Sequence, residues 1–154
     1  MERGEGAVSR RPTELDLQER MVGLVRAFGL HKPDRTPCGE PVSVAEAHAL
    51  MELSREEPLV QKELASRLRL QKSTVSRLVG MLERRGWIVR NRSPEDGRAM
   101  ELRLTEAGSK AARDIAEARR ARFAAVFEAV PEERRGAVLE ALGDLEEAMR
   151  DGEQ

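Results

Sequence analysis

The residues best equipped for chemistry in this sequence fall between positions 72 and 98. Lys72, Ser73, Thr74, Ser76 and Arg77 crowd a stretch in which Val75, Leu78, Val79 and Leu82 recur at i, i+3, i+4 and i+7. That spacing is one apolar face of a helix, so the polar residues share the first turn and the opposite face. Short hydroxyls let a backbone come close to a polar edge, a planar guanidinium forks onto two acceptors, and a helix N-terminus favours an anion. By itself, this pattern also fits an ordinary amphipathic helix with a solvated outer face. A few residues on, Arg90, Arg92 and Arg98 flank the turn sequence Ser93-Pro94-Glu95-Asp96-Gly97, which joins Trp87 to Arg92 with the alternating run Met100 to Leu104. Two such segments around a turn predict a β-hairpin. Arginines on its tip suit the narrow, electronegative minor groove of a duplex, beside a major groove that holds the helix. The two features together point to double-stranded DNA as a partner.

Charge agrees once it is read locally. The chain carries a net charge of −1. Between Arg67 and Arg103, however, 10 Lys or Arg stand against 4 Asp or Glu, and the remainder holds 17 basic and 24 acidic residues. A basic block in an acidic chain is a footprint for phosphate. The single cysteine cannot close a disulfide within the chain, and no stretch approaches the roughly 20 apolar residues of a membrane span. A cytoplasmic setting without membrane contact is therefore expected. No glycine-rich phosphate loop, nucleophile elbow or paired catalytic carboxylates are recognisable, so no enzymatic activity is expected.

The elements that must position these residues are mostly helical. Thr13, with Asp16 completing a capping box, opens a first helix whose Leu17, Met21, Leu24 and Phe28 form a seam. Breakers from Gly29 to Val42 make a linker. Ser43 caps a second helix with Val44, Ala47, Leu50, Met51 and Leu53 facing inward. A short third helix, about Gln61 to Arg69, a break at Leu70 and Gln71, and the helix to about Arg85 read as a helix-turn-helix. After the hairpin, Thr105 starts a long helix to about Val130. Pro131 stands in the first turn of a last one, with Val138, Leu142, Leu145 and Met149 as its seam. The seams of the first and last helices have no evident partner in so small a chain, which predicts a homodimer.

In order, Gln61-Lys62-Glu63-Leu64-Ala65, Ser73-Thr74-Val75-Ser76-Arg77-Leu78-Val79, Leu82-Glu83-Arg84-Arg85-Gly86-Trp87-Ile88, Asp96-x-Arg98 and Leu104-Thr105-x-x-Gly108 resemble the MarR family of winged helix-turn-helix transcriptional regulators. The resemblance covers Val44 to Gly108, and the flanking helices fit by position. It implies a mainly α fold with a small β-hairpin wing, that is, a winged helix-turn-helix core with long N- and C-terminal dimerisation helices. The corresponding division is a disordered tail at 1–12, a dimerisation helix and linker at 13–42, a DNA-binding module at 43–105 and C-terminal dimerisation helices at 106–150. It further implies that Arg98 contacts DNA from the wing and that Asp96 steadies the wing. Gly97 stands where another arginine is common, and Val60 where a Ser or Thr cap is usual. A sequence-specific regulator, expected as a repressor, follows from the resemblance. The alternative is a winged-helix protein used for architecture or for protein contact.

Two further groups remain. By resemblance, a small aromatic or phenolic effector is expected between the dimerisation helices and the DNA lobe, with Phe28, Met51 and Ile115 as candidate lining; ordinary core is the alternative. His31, Cys38 and His48 hold the only imidazoles and the only thiol within one 18-residue window. Such donors, with Glu46 or water as a fourth ligand, suit zinc. The spacings match no tight motif, and a redox-sensing Cys38 or plain linker and surface residues are the other readings.

Overall fold

Two helices begin by the same device. Thr13 Oγ1 accepts from the Asp16 N–H at 3.4 Å while Asp16 Oδ2 accepts from the Thr13 N–H at 2.8 Å. Ser43 and Glu46 repeat the exchange at 3.2 and 2.9 Å. Each box satisfies two amides that the first turn leaves without intrahelical partners. In the computed structural model, which describes residues 11–151, these boxes open α1 (Glu14–Phe28) and α2 (Val44–Arg55). Residues 1–10 of the expected N-terminal tail lie outside the described residues. Gly29 stops α1 with a left-handed φ of 88°, a conformation that glycine adopts without a Cβ penalty.

There follow β1 (Leu59–Val60), α3 (Gln61–Leu68), α4 (Lys72–Arg84), β2 (Ile88–Arg92), β3 (Met100–Leu104), α5 (Glu106–Ala129) and α6 (Glu132–Asp151). The sheet is antiparallel with order β1-β3-β2. β3 therefore pairs on both sides, Leu102 facing Leu59 on one flank and Arg90 on the other. The expected hairpin thus gains a third strand, and Val60, which starts α3 without a side-chain cap, belongs to it. Pro131 precedes α6 instead of lying within its first turn.

Leu50, Leu53, Leu64, Val75, Val79, Leu82 and Leu102 are all at zero exposure. They come from α2, α3, α4 and β3, and with Ile115 of α5 they form one core. Burying a leucine or valine side chain fully is worth about 1.5–3 kcal/mol, so this core fixes how α4 and the hairpin sit. On α2, Ala49 joins the buried set while Val44 and Met51 are half-buried. Among the described residues no helix is long and apolar enough to cross a membrane.

Candidate nucleic-acid interface

The turn between α3 and α4 is closed by Arg69, whose φ of 51° is left-handed, and by the Leu70 N–H donating to the Ala65 carbonyl at 3.1 Å. α4 then starts at Gln71 with no side-chain cap and no acidic residue in its first turn. Its leading N–H groups and the positive end of its dipole are left to meet an anion. Val75, Leu78, Val79 and Leu82 hold the inner face; Lys72, Ser73, Ser76 and Arg77 are exposed, and Thr74 is half-buried. The face expected to read bases is turned outward.

The hairpin tip is stiffened by its own polar groups. Ser93 is buried, and its Oγ accepts from the Glu95 and Asp96 N–H groups at 3.3 and 3.4 Å. Asp96 Oδ1 accepts from the Arg98 N–H at 2.9 Å, which steadies the turn. Arg92 reaches across the tip to the Gly97 carbonyl at 3.4 Å. Arg98, beyond this frame, projects an exposed side chain. Lys62, Lys72, Asp96 and Arg98 share the walls of an open groove between the helix-turn-helix and the wing. The side chains of Lys72, Arg77 and Arg98 have no ion-pair partner among the described residues.

Arg90 departs from the expected set. It sits two residues below the tip, and its guanidinium pairs with Glu83 of α4. It braces β2 against the helix, which removes it from the tip arginines. The base of the wing is held just as firmly. Thr105 donates its hydroxyl to the Gly86 carbonyl at 2.7 Å and accepts the Gly108 N–H at 3.0 Å, and its own N–H donates to the Trp87 carbonyl at 2.9 Å. A Cβ on Gly108 would stand 1.9 Å from that carbonyl oxygen. The Leu-Thr-x-x-Gly pattern is thus a clasp joining the end of α4, the root of the wing and α5.

Behind this surface lies a cleft of about 130 Å³ between α1, the 29–42 segment, α2 and α5. Phe28 and Ile115 line it as expected, and Phe28 meets Phe123 at 5.3 Å between ring centres. Met51 does not. It lies one turn beyond His48, where the cleft has ended and a separate recess runs towards Leu68 and Arg69. Sequence reading missed Arg119 and Arg122, which line the cleft with no acidic residue among the described residues of its walls. Their signal was present in the spacing: Ile115, Arg119, Arg122 and Phe123 stand at i, i+4, i+7 and i+8 of one helix.

The zinc reading is not matched by this arrangement. Cys38 and His48 both line the cleft, whereas His31 stays on the exposed turn after α1. Glu46, the fourth candidate, is committed to Ser43 and to Arg85 Nε at 2.9 Å. Among the described residues no three His, Cys, Asp or Glu side chains gather to hold a metal ion. The His48 pKa is lowered, first by partial burial and then by the Arg119 charge, against the opposing pull of Glu52, so its neutral form is favoured.

Residues 41–99 match the family model described as MarR family. The sequence matches no curated protein. In structure the chain is similar to the PcaV transcriptional regulator from Streptomyces coelicolor, at 28% identity over 91% of this chain and 99% of that one, with a TM-score of 0.69. The same regulator in complex with its natural ligand aligns at 22% identity over 94% and 99%, TM-score 0.69. FabT from Streptococcus pneumoniae, solved in complex with DNA, aligns at 23% identity over 89% and 93%, TM-score 0.66. The likenesses below 25% identity speak to the fold.

Proposed function

The winged-helix module of this chain belongs to the MarR family, and from that premise we propose that the protein is a homodimeric, sequence-specific DNA-binding transcriptional regulator, a repressor released by a small acidic ligand. One observation carries the DNA reading: an uncapped, acid-free helix start and a self-braced wing present Lys72 and Arg98 along one groove, with Arg77 exposed on the same helix, and none of the three has an ion-pair partner among the described residues. Arg77 with Ser73, Thr74 and Ser76 reads base edges in a major groove, and Arg98, with Arg92 behind it, enters the adjoining minor groove. Phosphate neutralisation by Lys72 and the helix start fixes the register. The protein works beside its DNA in the cytoplasm.

Two features support dimerisation and release. α1 and α6 expose Leu17, Leu24, Leu139 and Leu142 by 47, 51, 59 and 47%, the faces that a second copy would cover. The cleft combines aromatic walls with Arg119 and Arg122, which suits an aromatic carboxylate. Its volume is of the order of the roughly 150 Å³ cavity that holds benzene in another protein. PcaV, with its natural ligand, and FabT, with DNA, are relatives in which each type of complex has been solved.

Selection from a random duplex pool at fixed salt tests the reading. The expected product is a pseudo-palindrome with half-sites about 10 base pairs apart, as two-fold symmetry requires. A flat selection with salt-dependent binding to every duplex would show an architectural protein. No DNA binding, with retained capture of a protein partner, would show an adaptor.

A further inference from the structure

The ion pair that joins α2 to α4 lies outside both the DNA face and the cleft, yet it touches an element of each. Glu46 is 4% exposed. One carboxylate oxygen takes the Ser43 N–H and hydroxyl, both at 2.9 Å, and the other takes Arg85 Nε at 2.9 Å. A carboxylate this deep is costly to bury unless both oxygens find donors, and here both do. Arg85 is the residue on which α4 ends, and its guanidinium also lies over the Trp87 ring at 4.9 Å. Trp87 in turn carries the clasp to Thr105 and Gly108. One guanidinium therefore ties the end of the recognition helix and the root of the wing to the first turn of α2.

That turn of α2 is also a wall of the cleft, through Val44, Ala47 and His48 on either side of Glu46. α4 spans 13 residues, about 20 Å at 1.5 Å per residue. A small tilt at its Arg85 end is a displacement at the Ser73 end, where base contacts tolerate only about 0.5 Å. We infer that Glu46 and Arg85 are positioning residues for operator reading, and that a disturbance of the cleft wall reaches the recognition helix through this pair. The second half rests on the ligand reading proposed above.

The pair is tested with Glu46→Gln, which keeps an oxygen for the Ser43 N–H and removes the charge, and with Arg85→Gln. Each dimer is titrated with a duplex selected by the native protein and with a random-sequence duplex of equal length. Each variant is expected to lose about tenfold on the selected duplex and less than about twofold on the random one. The salt slope should stay unchanged, because no phosphate contact is removed. The double variant should be no weaker than the weaker single one, as for two partners of one interaction. A merely structural role would weaken both duplexes alike. That outcome, or a native ratio of the two affinities in variants that melt cooperatively, overturns the inference. If Glu46→Gln does not fold, Arg85→Gln carries the same comparison from the more exposed partner.

A second measurement needs no natural ligand. Iodoacetamide adds a carboxamidomethyl group to Cys38, the only thiol and a cleft residue. The modified native dimer should lose affinity for the selected duplex, and the modified Arg85→Gln dimer should show no further loss. Equal fold losses in both overturn the route through the pair. An unaffected native dimer, together with an altered affinity ratio in the variants, overturns the ligand reading and leaves the positioning role standing.

Discussion

The lobe from α2 to β3 and the flanking helices α1 and α6 obey different rules. The lobe hides seven leucines and valines at zero exposure and locks its surface elements with clasps that each use named polar groups. α1 buries none of its residues, and Leu139 and Leu142 of α6 stand 59 and 47% exposed. The first region is a folded object by its own contacts. The second has apolar seams that, apart from Phe28 against Phe123 of α5, are left largely exposed among the described residues, the condition of a half-interface. Under the proposed function, reading a duplex would require both, one lobe for each half-site and the flanks to set the distance between them.

The strongest way to break this comparison is to charge the flank. Leu139→Asp with Leu142→Asp should give a monomer by sedimentation at micromolar concentration while the lobe keeps its helix signal. Operator affinity should fall by about three orders of magnitude, the lower end of the gap between specific and non-specific binding. A monomer that binds the selected duplex with native affinity would remove the distinction between the two regions.

A core substitution in the lobe sharpens it. Leu82→Ala deletes fully buried methyl groups, and the expected loss is about 2–5 kcal/mol by denaturant titration, the same at every protein concentration. Leu24→Ala on α1 should instead produce a loss that shrinks as the protein is concentrated, as expected of a side chain buried only in the proposed dimer. Equal, concentration-independent losses at both sites would show that α1 packs within its own chain.

Within the lobe, Arg77 and Arg98, neither with an ion-pair partner among the described residues, are expected to separate by function. Arg77→Ala should cost about 1–3 kcal/mol and relax preference at one or two bases. Arg98→Ala should weaken all sequences alike and lower the salt slope by about one. Arg90→Ala is the control: its guanidinium is engaged with Glu83, so the salt slope should hold. A fall of one unit for Arg90→Ala would return that residue to the DNA contacts.

What could be read from the sequence follows the range of the interactions. Helix starts at Thr13 and Ser43, the inward stripe of α4 and the Asp96 turn are local, and their periods and caps are visible in the residue string. Strand β1 is two residues long, too short to show alternation, and exists only because Leu59 meets Leu102 across the chain. Arg90 looked like its neighbours Arg92 and Arg98 because composition does not tell a hairpin's base from its tip. Its ion pair with Glu83 required the packed position of α4. The Glu46–Arg85 contact spans 39 residues and leaves no periodic trace. Met51 failed as a cleft residue for the opposite reason: it shares the helical face of Val44 and His48, and only the packing of α3 shows that the cleft has closed before reaching it.

The smallest expected effect is a proton at the edge between the two regions. His48 stands on α2 in the wall of the cleft, with Arg119 of α5 facing it and Glu52 one turn along; Arg55, Arg67 and Arg69 line the recess on its other side. Partial burial and then Arg119 hold its pKa below the ordinary histidine value of 6.5, with Glu52 opposing. The unfolded chain therefore takes up the proton first as pH falls, and linkage gives the sign. The contribution to stability is full above about 6.5 and is lost as pH drops through the lower folded value. His48→Gln should flatten this limb of the stability curve without changing the plateau at neutral pH by more than a few tenths of a kcal/mol. Arg119→Gln should raise the imidazole titration seen by NMR, and Glu52→Gln should lower it further. A histidine that titrates at or above 6.5 in the native dimer would mean that α5 does not press Arg119 against α2, and with that the cationic wall of the cleft would be lost.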